Sequence, residues 1–371
     1  MNAVVNPYSG VSFSNQIMSI SHEHCRTVTQ EVTAARIFNY LYRCGVRHFG
    51  ISNYYPSTPV YPLDNPMDDT VSLTGTDALE FTEIPSDAIG CPNAEHHDVN
   101  IRAMHINGLG STFSSGYPRG VNPVGMNKAH WKECIKDILD NLIYPDAGGA
   151  TVNHPNWTNY YGGSMKVKTI CDVLDYDDRV LGIEVFNKTS EIDEHHVGWD
   201  IDTWDSILIT GRRCWGLCVP DHDGENFSIS DTSTPPRRQI SGINMLLCDA
   251  TEYNCLRAYR TGAFYGKLYN TTNLAFNDIS YDSSTNTLSV ETTGATKISV
   301  VIDGGFTDYS NTNSIKVVLP NDITYVRVQA EGDYPPYQRA EDTKDMIFSN
   351  PIMFKSAQKA NTQADFALLY G

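Results

Sequence analysis

Two patterns of hydrophobic and polar positions divide the chain near residue 266. Before it, short apolar stretches such as Gln16–Ile20 and Val180–Phe186 alternate with amphipathic stretches such as Thr29–Cys44. Alternating strands and helices are typical of α/β proteins that contain a parallel sheet. We therefore predict an α/β domain over residues 1–266.

The pattern changes after residue 266, where the chain is rich in Thr, Ser, Asn and Val and contains no Trp or Cys. Apolar and polar residues alternate there in short runs, separated by Gly, Asn, Asp and Pro turn signals. The alternation predicts a small all-β sandwich over 267–355, followed by a C-terminal tail over 356–371. Its predicted strands are Thr287–Thr293, Lys297–Asp303, Ser314–Leu319 and Tyr325–Glu331.

Composition limits the class of protein. No apolar run approaches the roughly 18 residues of a membrane span, and Met1–Gly10 lacks a signal-peptide pattern, so we expect a cytoplasmic protein. The nine cysteines include no C-x-x-C pair, which favours reduced thiols. A net charge of −17, from 44 acidic and 27 basic residues, argues against long nucleic acid as a partner.

Histidines and carboxylates occur in order at the predicted strand ends. In His22-Glu23-His24 the alternate residues of an extended chain face the same side, so both imidazoles can reach one metal ion. Imidazole and carboxylate ligands suit Zn, Mn or Fe. We assign His105 a structural role. The ordered set of candidates is His22, His24, Glu83, His97, His154 and Asp221.

These residues resemble the PHP (polymerase and histidinol phosphatase) family of metal-dependent phosphoesterases, in its branch with a C-terminal β-sandwich. The resemblance covers residues 6 to about 354. Beyond the histidines it includes Asn6-Pro7-Tyr8, the segments 182–187 and 256–265, and Ser349-Asn350-Pro351-Ile352. It implies a distorted seven-stranded β/α barrel followed by the sandwich.

The resemblance also implies a ligand set for two divalent metal ions. His22, His24, Glu83 and Asp221 would hold one ion, and Glu83, His97 and His154 would hold the other, with Glu83 bridging. Where the family has an Asp-His pair after its second strand, this chain has Asn53-Tyr54. Where the last ligand motif of the family is Asp-x-His, this chain has Asp221-His222-Asp223. A third metal site is therefore expected to be absent or weak, with His222 as a substitute ligand.

The implied activity is hydrolysis of a small phosphomonoester or phosphodiester by metal-activated water, with Glu83, Asp221 and His222 in catalysis. Paired ions lower the pKa of water and stabilise charge on the phosphate oxygens. Arg102, Arg212 and Arg213 are candidates for a phosphate-binding cation, and Glu184 and Asn187 for lining the pocket. Two alternatives stay open: a catalytically degenerate module for binding or structure, and a related metallohydrolase that cleaves an amide or carbamate ester. The sequence does not identify a partner of the sandwich.

Overall fold

The computed structural model describes residues 1–24, 34–52, 85–97, 104–113, 131–157, 165–192, 198–221, 239–337 and 343–357. Within these ranges the protein is a mixed α/β structure with three sheets. In that part of the chain no helix is both long enough and apolar enough to cross a membrane.

The strands and helices of the described residues are numbered in chain order. The strands are β1 (Ile17–Ile20), β2 (His48–Phe49), β3 (Ile89–Gly90), β4 (Glu95–His97), β5 (His105–Leu109), β6 (Gly149–Asn153), β7 (Val180–Asn187), β8 (Trp215–Val219), β9 (Ser241–Leu246), β10 (Phe264–Tyr269), β11 (Ala275–Asp282), β12 (Thr287–Thr293), β13 (Lys297–Ile302), β14 (Gly305–Ser310), β15 (Ser314–Val318), β16 (Tyr325–Glu331), β17 (Met346–Ser349) and β18 (Ile352–Met353). The helices are α1 (Ala34–Arg43), α2 (Trp131–Asp140), α3 (Val167–Leu174), α4 (Lys188–Ile192), α5 (Ile201–Leu208) and α6 (Glu252–Thr261).

The largest sheet runs in the order β14-β13-β16-β17-β10-β9-β1-β2-β3, with β18 paired to β16. A second sheet has the order β4-β5-β6-β7-β8, and a third the order β11-β12-β15. The predicted parallel pairing holds for β1 with β2, β2 with β3, β6 with β7 and β7 with β8. It is wrong for β4 with β5, β5 with β6 and β1 with β9, which are antiparallel.

The first two sheets approach each other where β1 and β8 end. Glu23 and Asp221 form a parallel bridge, in which the backbone N–H of His24 donates to the carbonyl of Asp221 at 2.9 Å. The N–H of Asp221 in turn donates to the carbonyl of His22 at 3.1 Å. The ladders of the described residues remain open sheets, and the seven-stranded barrel stays a prediction.

Helices cover the second sheet with apolar faces. In α2 the buried residues recur at the spacing of one helical face, because 3.6 residues complete a turn. These residues are Trp131, Cys134, Ile135, Ile138 and Leu139. The four strands predicted after residue 266 correspond to β12, β13, β15 and β16, and their buried residues form an apolar core with those of β11 and β17.

Strand β10 connects the two parts of the chain. It pairs with β9 on one side and with β17 on the other, so residue 266, the predicted boundary, lies inside a continuous ladder. Two residues of the family-like motifs meet beside it. The backbone N–H of Asn350 donates to the Tyr8 hydroxyl at 2.7 Å, and that hydroxyl donates to the carbonyl of Phe264 at 3.0 Å. These motifs therefore have a packing role.

Candidate metal centre

Four side chains converge where β1 and β8 end and β4 begins. The Nε2 atoms of His22 and His24 lie 3.0 Å apart. Asp221 Oδ1 is 3.3 Å from each of these nitrogens, and Glu95 Oε2 is 3.2 Å from His24 Nε2. All four residues are buried, so water is largely excluded from the polar atoms that they direct toward one another.

Donor geometry provides a test of whether a cation fits between them. Ligand atoms at the 2.0–2.2 Å bond lengths of tetrahedral zinc lie about 3.3 to 3.6 Å from one another. The distances from His22 to His24, from Asp221 to both histidines and from Glu95 to His24 fall within a few tenths of an ångström of these values. Two imidazole nitrogens and two carboxylate oxygens also match the ligand chemistry of divalent transition metals. The residues present therefore fit a metal ion.

Glu95 also belongs to a second group. Its Oε1 atom is 3.0 Å from His105 Nδ1 and 3.3 Å from His154 Nε2. The potential ligand atoms of His22, His24 and Glu95 lie within 4.8 Å of one another, and so do those of Glu95, His105 and His154. One carboxylate thus directs an oxygen toward each group, which is the position that the resemblance implied for Glu83.

Charge is concentrated in this pocket. Burial by itself lowers the pKa of His22, but Asp221, Glu184 and Glu95 together raise it well above its ordinary value. Burial raises the pKa of Glu95, yet His105 and His22 hold it well below its usual range. A divalent ion has to displace protons from such imidazoles, so its affinity falls as the pH is lowered.

Two residues of the site have an unusual backbone conformation. His154 has a φ of 26° and Asp221 a φ of 60°, a region that residues with a Cβ rarely adopt. Such conformations persist only where the surroundings hold them in place, and they concentrate at functional sites. The backbone N–H of His154 is held by Glu184 Oε2 at 2.8 Å. The backbone is therefore strained at His154 and Asp221, where the candidate ligands converge.

The structure brings together four of the six predicted ligands: His22, His24, His154 and Asp221. Glu83 and His222 lie outside the described residues, as do Asn53 and Tyr54, on which the prediction about a third metal rests. His97 belongs to β4, but its side chain is not among those described.

Sequence analysis missed Glu95 and gave His105 a structural role, whereas the structure places both at the site. A lone histidine in an apolar strand carries little signal by itself. The missing information is the antiparallel pairing of β4 with β5, in which Glu95 is opposite Asn107 and His97 is opposite His105. His96 forms a stacked pair with Phe113, at 5.2 Å between ring centroids.

Two of the candidate phosphate-binding cations are engaged elsewhere. Arg212 pairs with Asp175 at 2.7 Å, and Arg213 donates to the carbonyl of Val180 at 2.9 Å, at the start of β7. The metal candidates lie near the opposite end of that strand, beside Glu184. Arg212 and Arg213 are therefore not residues of the site, and Arg102 lies outside the described ranges.

Comparison with known proteins gave few matches. No family model matches the chain, and no curated protein matches it. Among solved structures, the chain is similar to a two-domain protein from Bacteroides vulgatus that contains a predicted PHP-like metal-dependent phosphoesterase. The two chains are 12% identical, the match covers 90% of this chain and 94% of the other, and the TM-score is 0.44. Because this score is below 0.5, we base the interpretation of the site on its own residues and distances.

Proposed function

We propose that the protein is a metal-dependent phosphoesterase that hydrolyses a small phosphomonoester or phosphodiester at a centre of two divalent metal ions. The observation that carries the proposal is Glu95, whose two oxygens face two separate groups of histidines. A carboxylate shared in this way is suited to hold two cations close together, the arrangement that serves in-line displacement at phosphorus.

When bound, the two ions supply Lewis acidity and lower the pKa of water. The protein's own groups fix where this happens. His22 and His24 direct Nε2 toward the first position, while His105 Nδ1 and His154 Nε2 face Glu95 Oε1 at the second. Burial of these side chains keeps bulk water from competing with a cation for their polar atoms.

Charge favours a small substrate. With 44 acidic and 27 basic residues, the chain lacks the excess of Lys and Arg that neutralises a polyphosphate backbone. A single phosphate group requires no such excess, because two divalent ions at the site provide four positive charges. We infer a small phosphorylated molecule as substrate and no long nucleic acid as partner.

We further propose that residues 1–266 form a distorted seven-stranded barrel of the PHP type, with 267–355 as a β-sandwich and 356–371 as a tail. The bridge between Glu23 and Asp221 supports closure on the side of β1 and β8. The succession of β3 and β4 along the chain, with only residues 91–94 between them, supports closure on the other side.

The test combines metal analysis with hydrolysis. Protein purified without chelator should contain two equivalents of transition metal and should hydrolyse p-nitrophenyl phosphate or bis(p-nitrophenyl) phosphate. Asp221→Ala and His22→Ala should lose activity and one equivalent of bound metal, since both remove a ligand atom of the first group. Asp172→Ala is the matched control, because Asp172 pairs with Lys168 on an exposed helix face.

Full activity after removal of the metal would overturn the proposal. Two bound equivalents without turnover of either phosphate would also overturn the assigned reaction, and would favour a module for binding or structure. Hydrolysis of aryl amides or carbamates, with phosphate esters untouched, would replace the substrate class.

A further inference from the structure

Glu184 lies in β7 and is buried, and both of its carboxylate oxygens make polar contacts. Oε1 is 2.6 Å from His22 Nδ1. Oε2 accepts hydrogen bonds from the backbone N–H of His154 at 2.8 Å and from Asn187 Nδ2 at 2.9 Å. One side chain therefore contacts segments that follow two other strands, β1 and β6, and both of these segments carry candidate metal ligands.

Asn187 extends the contact to a further ligand. Its Nδ2 also donates to Asp221 Oδ2 at 3.1 Å, while its Oδ1 accepts from the backbone N–H of Ser190 at 2.9 Å. The orientation of the Asn187 amide is thus fixed on both sides. Asp221 is held through Oδ2, which leaves Oδ1 directed at His22 and His24.

The contact with Glu184 determines which nitrogen of His22 carries hydrogen. A carboxylate only accepts, so His22 Nδ1 must donate, and a neutral His22 then has its lone pair on Nε2. That lone pair is directed toward His24, Asp221 and Glu95, where the first ion would bind. A carboxylate behind a metal-binding histidine characteristically sets its tautomer and orientation.

We propose that Glu184, assisted by Asn187, is the positioning residue of the metal centre: it sets the His22 tautomer and anchors the segments of His22, His154 and Asp221. This inference rests on the metal centre proposed above. Glu184 is not a catalytic residue, because it contacts ligands rather than the space between them.

Substitution of Glu184 by Gln tests the tautomer directly, since Gln has nearly the same shape. The two donors at the Oε2 position, His154 N–H and Asn187 Nδ2, require the amide oxygen there. The amide NH₂ then faces His22 Nδ1, which must accept, so the hydrogen moves to Nε2 and opposes metal binding. Reversing the amide would instead place its NH₂ against two donors, so neither orientation restores the native pattern.

The experiment measures tautomer and metal affinity separately. In metal-free protein labelled with ¹⁵N-histidine, at a pH high enough to remove the second proton from His22, long-range ¹H–¹⁵N correlation should place the remaining imidazole hydrogen on Nδ1 in the wild type and on Nε2 in Glu184→Gln. Competition with a chromophoric chelator, using Zn²⁺ alone, should show a roughly 10- to 100-fold loss of affinity in Glu184→Gln. Glu184→Asp, which keeps an acceptor carboxylate, should recover part of the affinity. Glu331→Gln, at a surface ion pair with Lys344, is the matched control.

An Nε2 hydrogen on the neutral form of wild-type His22, or unchanged Zn²⁺ affinity in folded Glu184→Gln, would overturn the inference. If Glu184→Gln does not fold, the wild-type tautomer and the Glu184→Asp affinity still decide it. Wild-type protein that binds Zn²⁺ with the expected tautomer but hydrolyses no phosphate ester would refute the proposed function and leave the role of Glu184 intact.

Discussion

Glu95 provides the most discriminating test of the metal centre, because the structure gives it a share in both groups. Its Oε2 faces His24 at 3.2 Å, and its Oε1 faces His105 at 3.0 Å and His154 at 3.3 Å. In Glu95→Gln the amide nitrogen cannot bind a cation and the negative charge is lost. The change should therefore remove or weaken both metal sites at once, although the side chain keeps its size.

The expected magnitude follows from ligand linkage. An ion present at 100 times its dissociation constant stabilises the folded state by about 2.7 kcal/mol, so two sites that are both filled to this degree contribute about 5.4 kcal/mol. Glu95→Gln should lose nearly all of this stabilisation by bound metal. His105→Ala keeps His22, His24, Glu95 and Asp221, so it should retain one equivalent and about 2.7 kcal/mol. His24→Ala should likewise retain one equivalent, bound by the other group.

The assay is equilibrium dialysis against Zn²⁺ or Mn²⁺, with metal counted by elemental analysis and unfolding followed with and without metal. Glu331→Gln is again the control for loss of a carboxylate, since it lies in β16 and pairs with Lys344. Two retained equivalents in folded Glu95→Gln would refute the shared-carboxylate reasoning. Equal stoichiometry in His105→Ala and the wild type would refute the second group.

Two further predictions concern stability. The pKa of buried His48 is lowered by desolvation to about 3, so below about pH 6.5 the unfolded chain takes up a proton that the folded protein does not. The folded state is therefore destabilised as the pH falls from about 6.5 toward 3, by about 2 kcal/mol at pH 5. His48→Asn should lack this loss when urea unfolding is compared at pH 7 and pH 5. Equal pH dependence of stability in the variant and the wild type would contradict the prediction. Asp205→Asn leaves the buried Arg327 without the carboxylate that it contacts at 2.7 Å, and should destabilise the protein by about 3 to 5 kcal/mol. Asp140→Asn, at an exposed pair with Lys136, should cost under about 1 kcal/mol, and similar costs for the two variants would disprove the difference.

The linear sequence was sufficient for the local features. The predicted strand Thr287–Thr293 is β12 with the same bounds, and the amphipathic stretch Thr29–Cys44 contains α1, which spans Ala34–Arg43. Hydrophobic periodicity carries this information, because a helix repeats every 3.6 residues and a strand every two. The H-x-H spacing also needed only local geometry to predict that the imidazoles of His22 and His24 face the same side, and their Nε2 atoms lie 3.0 Å apart.

Only the tertiary structure decided which carboxylates surround those histidines. Glu95 reaches the site through the pairing of β4 with β5, and Glu184 meets His22 across 162 residues of chain. Such contacts depend on strand register and on how the sheets approach each other, and a one-residue change in register would turn every side chain to the opposite face. Periodicity determines which face of an element is buried, whereas the choice of partner across the fold is made by long-range packing.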